Sequence, residues 1–438
     1  MIIPSHIVTG QDTLDEELIK SLALLGDVQL TYEDFPPSSV SCVSLLRATK
    51  CLVGPFDWKS TESLDSATSW LDKGAAAGIF DILPSSETLS DIRDALSTLP
   101  RDRVIVRIVI SDVAGEGSED KLASLKDVVG EVGKVASRVI LACTQEEAES
   151  FGEVCEAMKE VRGKEGSPDH VGLVLQAPLW TPDQVGAIHR MKPQVDAACP
   201  AAILPEDAPP QPGKVSLADA FMACCRTDRP DGLFTTVVVD ECGVALGLVY
   251  SNALSVKASF AAKRGVYWSR SRGGLWRKGD TSGAVQELKG ISIDCDSDAL
   301  CFRVDQKGDP PAFCHLNRRT CWDAGRGIGK LERTLTQRLA NAPAGSYTKR
   351  LFDDPALLRN KLLEEVQELV EAETVGDVAA EAADVMYFMM VRCVAAGVKL
   401  ADIERDLDAK SLKVKRRPGN AKRHRIEAAE KVVGPATT

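Results

Sequence analysis

The sequence predicts a multidomain chain: an α/β N-terminal domain, barrel-like or doubly wound, then an α+β domain, then an all-α domain. Three observations carry this. Short apolar runs alternate with amphipathic stretches, about thirty residues apart, as far as Leu204. A stretch at 205–214 then places four prolines in ten positions, which suits neither a helix nor a central strand. From Leu331 onward the apolar periodicity is helical.

A chain of 438 residues has room for two to four domains. Its hydrophobic content of 44% is ample for packed cores, and the 5% of aromatics, with Ala, Val and Leu abundant, leans to α/β architecture. A net charge of -11 argues against general nucleic-acid binding and leaves phosphate-bearing small molecules open. The start, Met1 to His6, lacks a charged segment with a long apolar run behind it. No stretch reaches the roughly eighteen apolar residues that span a bilayer. The 13 cysteines are an odd number, and several, such as Cys51, Cys143, Cys301 and Cys393, sit inside apolar runs. Reduced thiols in the cytoplasm are expected, with neither membrane nor nucleic acid as partner.

In chain order, strands are expected at Cys51–Val53, Gly78–Leu83, Val104–Ile110, Val139–Cys143, Val171–Leu175 and Ala201–Leu204. Helices are expected at Glu62–Ala77, Ser86–Leu99, Lys121–Val135 and Gln145–Val161. This pattern of βαβ units fits a closed β/α barrel or an open doubly wound sheet. Asp57, Asp81 and Asp112 lie in or just after strand-like runs, where active sites of such folds gather, but aspartates there also cap the next helix. No Gly-rich phosphate loop appears, and residues 1–212 read either as a degenerate domain serving dimerisation or stability or as the seat of a third activity.

Beyond the proline-rich linker, Leu233–Val239 and Gly243–Tyr250 read as a hairpin, and Ala253–Ala262 as a short helix. The run from Tyr267 to Gly283 is dense in Arg, Lys, Ser, Thr and Gly. It is either a basic surface loop or one side of a phosphate site, since Arg and Lys bind phosphate by charge and Gly admits backbone N–H groups. Asp294, Asp296 and Asp298 then alternate with other residues, and read as a strand they share one face, with Cys295 on the other. Three carboxylates on one face repel unless a cation sits between them, and oxygen ligands suit Mg²⁺. Cys295, Cys314 and Cys321 suit a softer ion, usually Zn²⁺, and a three-ligand zinc site keeps a fourth position for water. The stretch Ala324 to Lys330 lacks the spacing of a nucleotide loop and is expected to be a hinge.

A helix is expected to start at Leu331–Arg338 and to break at Asn341–Gly345, with further helices at Pro355–Glu373, Val378–Ala396 and Leu400–Leu412. Lys361, Glu364, Glu365 and Glu368 fall on adjoining rows of one helix, and Glu381 and Asp384 lie one turn apart on the next. These carboxylates are either a solvated face or a site for Mg²⁺ and a diphosphate. Val366, Leu369 and Val370 form the apolar stripe of the first helix, and Val385, Met386, Phe388 and Met389 that of the second. The basic run of Lys410, Lys413, Lys415, Arg416 and Arg417 is either a complement for phosphates or a loose cationic end.

Two resemblances enter at these residues. The run from Ser269 to Gly283, then Asp294 to Ala299, then Cys314-His315 and Cys321, resembles phosphoribosyl-AMP cyclohydrolase over about 110 residues. Residues 331–422 resemble phosphoribosyl-ATP pyrophosphohydrolase through Gly345 to Thr348, Lys361 with Glu364, Glu365 and Glu368, and Glu381 with Asp384. The order of the two, after an α/β-like extension, resembles the fungal histidine-biosynthesis enzymes. The histidinol dehydrogenase domain that some members carry farther on is not expected here. The domains implied are 1–212, 213–326, 331–422 and a flexible tail, 423–438.

The resemblance implies that Asp294, Asp296 and Asp298 hold Mg²⁺, that Cys295, Cys314 and Cys321 hold Zn²⁺, and that the zinc ligands come from both subunits of a homodimer. It implies that Glu364, Glu365, Glu368, Glu381 and Asp384 hold Mg²⁺ and orient water to cut phosphoribosyl-ATP. His315 is the candidate for proton transfer during ring opening of phosphoribosyl-AMP, or else it orients Cys314. Arg270, Arg272, Trp276, Lys278, Ser282 and Lys361 are the expected substrate contacts. Two features depart from the pattern: Leu316-Asn317 where the family has Thr-Gly, and an insertion at Asp309-Pro310-Pro311. The reading in another class is a metal-binding regulatory or scaffold protein with decayed sites.

Overall fold

The computed structural model describes residues 2–8, 14–33, 36, 42–83, 89–113, 118–147, 170–191, 195–322, 326–343 and 345–414. They fall into two compact units: one runs to Trp322 and takes in the segment from Ala409, and the other ends at Asp408.

The first unit opens with β1 (Ile2–Val8), β2 (Asp27–Tyr32), β3 (Lys50–Phe56), β4 (Ala77–Ile82), β5 (Val104–Val109), β6 (Arg138–Ala142), β7 (Gly172–Gln176) and β8 (Val195–Ala202). Each pairs in parallel with the next, and β1 closes on β8. The open-sheet alternative is thereby excluded. Ile3, Leu52, Ile79, Ile105, Ile140 and Val174 fill the barrel interior, and the outward faces of the strands pack against helices. A Cβ on Gly54 would lie 2.6 Å from the Ile79 Cβ, so glycine is what lets β3 and β4 meet inside the barrel.

The helices start where the chemistry dictates. Ser60 caps Thr61–Lys73 by accepting from the Ser63 amide, and Gly74, at φ 122°, ends it. Thr181 and Gln184 form a capping box on Pro182–His189, with proline in the first turn, where no amide partner is needed. β1 and β2 were not legible, because Pro4, His6 and Gln29 interrupt their apolar runs. β8 begins at Val195, six residues before the expected strand at Ala201, since Asp196 and Pro200 mask it. The expected helix Gln145–Val161 lies, from residue 148 on, outside the described residues. The last barrel helix, Leu217–Cys224, comes after the proline-rich stretch: β9 (Val215–Ser216) pairs with β8, and the helix packs on Pro182–His189 and β1.

The same unit continues into β10 (Phe234–Val239), β11 (Ala245–Ser251), β12 (Val266–Ser269), β13 (Gly274–Arg277), β14 (Gln286–Ile293) and β15 (Ala299–Gln306). Four form a mixed sheet in the order β11-β10-β15-β14, while β12 and β13 pair as a separate hairpin. The expected hairpin of β10 with β11 and the helix Ala253–Ala262 are both present.

The second unit is helical: Gly327–Asn341, Tyr347–Asp353, Pro355–Glu371, Val375–Ala395 and Leu400–Ser411. Leu335, Leu351, Leu358, Phe388, Met390 and Val391 form the core of the second unit. The helix Gly327–Asn341 begins four residues before the expected Leu331, so Ile328 to Lys330 belong to a helix rather than a hinge; residues 323–325 lie outside the described set. The apolar stripe expected to be buried faces solvent instead: Val366 and Val370 are exposed, and Glu365 is buried on the same helix. Met386 on the next helix is likewise exposed. Lys415, Arg416, Arg417 and the tail beyond them lie outside the described residues. No helix among the described residues is long and apolar enough to cross a membrane.

Gly54→Ala is expected to overpack the barrel and destabilise it by about 1–3 kcal/mol. A lowered urea midpoint, read by tryptophan fluorescence, checks this.

Candidate active sites

The aspartate run forms a turn and not a strand: β14 ends at Ile293 and β15 starts at Ala299. The turn still gathers the carboxylates, with oxygens of Asp294, Asp296 and Asp298 all within 4.8 Å of one another. The reason is local. Asp294 Oδ1 accepts from the amides of Asp298 (3.0 Å) and Ala299 (3.1 Å), and Ser297 takes the left-handed conformation at φ 70°. Burial opposes ionisation of Asp294, but the amides of Ala299 and Asp298 outweigh it and hold the carboxyl below its usual range. Asp298 is pushed up, first by the charge of Asp296. A hard cation would relieve that crowding, and the all-oxygen donor set fits one.

Cys314 and Cys321 sit on a second turn. Its ends are tied by the amides of Phe313 and Cys314, which donate to the carbonyls of Arg319 and Arg318, and the Cys321 amide donates 2.8 Å to Leu246 on β11. Asn317 occupies φ 58°, which explains how the chain departs from a glycine there: asparagine tolerates the left-handed region. Phe313 lies against β11, where a Cβ on Gly247 would come within 2.0 Å of its ring. Arg319 ties the turn to Asp240, just past β10, at 3.2 Å, a largely buried pair that the sequence did not flag. Burial raises the Cys321 thiol, and Cys314 beside it adds to the shift. Burial lowers the Lys278 ammonium, and the two thiols oppose that. His315 is exposed, its Nδ1 3.9 Å from Cys314 Sγ. Cys295 lies on the aspartate turn and does not join Cys314 and Cys321 within ligating distance. One chain thus offers two adjacent thiols, a donor set that fits a soft ion only with a further ligand.

The expected substrate residues divide along the β12–β13 hairpin. Arg270 and Arg272 lie at its tip, with the Arg270 guanidinium 3.9 Å over the Tyr250 ring. Lys278 leaves its base, buried between the rings of Trp276 and Phe313 at 5.9 and 5.6 Å. Ser282 is exposed and accepts from the Ala284 amide. In the N-terminal region, Asp81 forms a two-bond ion pair with Arg107 (2.7 and 2.6 Å), Asp57 accepts from the Lys59 amide, and Asp112 meets Ser111. Ser60, not Asp57, caps the helix that follows β3.

In the helical unit, Glu365, Glu368 and Glu381 place oxygens within 4.8 Å of one another. Glu365 is only 5% exposed. Lys361 holds it at 2.7 Å and reaches Glu364 at 2.9 Å, and those contacts, Glu365 first, raise the lysine well above its usual range. Glu368 is raised by desolvation and then by the charges of Glu365 and Glu381. Glu364 and Asp384 are exposed and stand outside the convergent trio. Thr348 accepts from Arg338 at 2.9 Å and meets the Tyr387 hydroxyl at 3.1 Å, tying the Gly345 to Thr348 segment to the helix that carries Glu381.

These features define a chain with two convergent carboxylate clusters able to hold a metal ion, and a thiol pair on a further turn of the first unit. The comparisons agree with that division. Residues 247–323 match the family model of phosphoribosyl-AMP cyclohydrolase, and residues 328–411 that of phosphoribosyl-ATP pyrophosphohydrolase. The chain is 40% identical over 354 residues to the histidine biosynthesis bifunctional protein his7 of Schizosaccharomyces pombe, covering 79% of this chain and 78% of that one. It is 33% identical to the histidine biosynthesis bifunctional protein HisIE of Thermus thermophilus, covering 40% of this chain and 87% of that one. A histidine biosynthesis trifunctional protein of Neurospora crassa is 56% identical over 210 residues, 48% of this chain and 24% of its own length. The chain thus spans about a quarter of the trifunctional relative it matches. It belongs to the family of histidine biosynthesis bifunctional proteins, and carries a phosphoribosyl-AMP cyclohydrolase domain followed by a phosphoribosyl-ATP pyrophosphohydrolase domain.

A raised carboxyl favours the folded state while protonated, and that advantage fades as pH rises through its folded pKa. Without divalent cations, Glu368→Gln is therefore expected to raise the thermal midpoint at neutral pH. It is also expected to abolish most of the stabilisation that added Mg²⁺ gives the parent. Melting curves in chelator and in Mg²⁺ check both.

Proposed function

We propose that the chain performs the second and third steps of histidine biosynthesis. Water first cuts phosphoribosyl-ATP between its α- and β-phosphates in the helical unit, releasing pyrophosphate. Water then opens the adenine ring of the product, phosphoribosyl-AMP, at the N1–C6 bond in the cyclohydrolase region. The observation that carries this is that each region matched by a family model holds its own convergent ligand cluster.

In the helical unit, Glu365, Glu368 and Glu381 are the Mg²⁺ ligands, and Lys361 fixes Glu365 by its ion pair. Glu364 and Asp384, exposed at the margin, complete the set as the substrate arrives and orient the attacking water. Bound Mg²⁺ supplies charge neutralisation for the phosphates. In the cyclohydrolase region, Asp294, Asp296 and Asp298 hold Mg²⁺. Cys314 and Cys321 supply two sulfur ligands for Zn²⁺, and the Lys278 charge partly offsets the burial that raises the Cys321 thiol. Bound Zn²⁺ supplies Lewis acidity and makes water acidic near neutrality. His315, next to Cys314, transfers the proton. Lys278 and Trp276 at the base of the hairpin contact the nucleotide, and Arg270, Arg272 and Ser282 receive its phosphates.

Cys295 is the third zinc ligand and comes from a second copy, which makes the working unit a homodimer. Its separation from Cys314 and Cys321 within one chain supports this, and so do Val366 and Val370, left exposed on the helical unit. We assign residues 1–212 as the barrel region apart from its last helix, 213–326 as that helix and the cyclohydrolase, 331–422 as the pyrophosphohydrolase and 423–438 as a tail. The described cysteines are free thiols, which supports placement in the cytoplasm.

Turnover of phosphoribosyl-ATP by the full chain, followed in the ultraviolet with Zn²⁺ and Mg²⁺ supplied, tests the proposal. The parent is expected to open the ring. Cys314→Ala is expected to stop at phosphoribosyl-AMP, and Glu365→Ala to process only added phosphoribosyl-AMP. A parent that performs neither reaction would return the chain to a binding or scaffold role.

A further inference from the structure

The aspartate turn is held from outside its own hairpin. The Arg226 amide donates to the Ser297 carbonyl at 2.8 Å, and its Nε donates to the Asp296 carbonyl at 2.8 Å. The His189 Nε2 meets the Ser297 hydroxyl at 3.0 Å. His189 is the last residue of the barrel helix Pro182–His189 and is buried at 7% exposure. Arg226 follows the last barrel helix, Leu217–Cys224, by two residues. Barrel and turn belong to one compact unit, so these contacts lie within a single body.

Residues 296 and 297 link two of the carboxylates, and their two carbonyls and the Ser297 hydroxyl are held from the barrel side. Ser297 is also the residue in the left-handed conformation, which costs a residue with a Cβ roughly 1–2 kcal/mol. Like charge on Asp296 and Asp298 works to open the same turn. The turn thus needs an external restraint to keep its carboxylates converged before a cation binds. Among the described residues, that restraint is His189 and Arg226.

We propose that the N-terminal barrel acts as a positioning platform for the cyclohydrolase metal turn, with His189 and Arg226 as positioning residues that set its affinity for a divalent cation. This rests on the assignment of Asp294, Asp296 and Asp298 as a cation site. The barrel then has a role without any chemistry of its own: it preorganises ligands that a sheet hairpin alone leaves splayed.

The test is Mn²⁺ binding to the full chain, by titration with paramagnetic detection, in the parent, Asp296→Asn, His189→Ala, Ser297→Ala and the His189→Ala/Ser297→Ala double variant. The binding lost in Asp296→Asn defines the turn site. His189→Ala and Ser297→Ala are each expected to weaken that site about five-fold, the worth of one hydrogen bond. The double variant is expected to be no weaker than either alone, since both remove the same bond. His189→Gln, which keeps a donor and acceptor near the Nε2 position, is expected to recover most of the loss. Pyrophosphate release from phosphoribosyl-ATP is expected to stay at the parent level and reports that the chain is folded. Parent-like Mn²⁺ binding in Ser297→Ala, or losses that add in the double variant, would overturn the positioning role. Equal binding by the parent and Asp296→Asn would instead remove the cation site itself.

Discussion

Carboxylates crowded within ligating distance repel one another, and both candidate sites are built around that conflict. Each is partly compensated by the chain. Backbone amides stabilise Asp294, and Lys361 neutralises Glu365. Neither compensation reaches the last member of its cluster: Asp298 remains raised first by the charge of Asp296, and Glu368 by desolvation and then by the charges of Glu365 and Glu381. What is left over in each case is a deficit of positive charge, which a divalent cation would supply.

The architecture follows from holding such clusters open. In the helical unit, a helix pair suffices, because rows one turn apart already align Glu365 with Glu368 and bring Glu381 across from the next helix. In the cyclohydrolase region the ligands sit on turns, which are softer. There the fixing groups come from farther away: Asp240 on the thiol turn through Arg319, and His189 and Arg226 on the aspartate turn. A barrel with no Gly-rich phosphate loop thereby acquires a physical connection to the chemistry of its neighbour.

Much of this was legible in the sequence. Alternating apolar runs gave six of the barrel strands, though closure could not be read, because the β1–β8 ladder pairs backbone from opposite ends of the barrel sequence. The convergent carboxylates were legible because aspartates two apart and glutamates three or four apart carry their geometry with them. The aspartate run was misread as a strand, since alternation alone does not show that Ser297 turns left-handed. The exposed Val366 and Val370 were taken for core, because periodicity marks an apolar face without saying what covers it. His189, Arg226, Asp240 and Arg319 left no signal: each acts on residues tens of positions away, and none belongs to a repeating pattern.

The central claim is that the cyclohydrolase site is completed between two copies, with Cys295 from one and Cys314 and Cys321 from the other. The most direct measurement is complementation of ring opening. Cys295→Ala and Cys314→Ala are each prepared alone, then mixed under conditions that exchange subunits. The mixed dimer keeps one intact set of three cysteines, so two inactive proteins are expected to regain phosphoribosyl-AMP turnover on mixing. A mixture as inactive as its parts, with subunit exchange verified, would place all three cysteines on one chain and contradict the account.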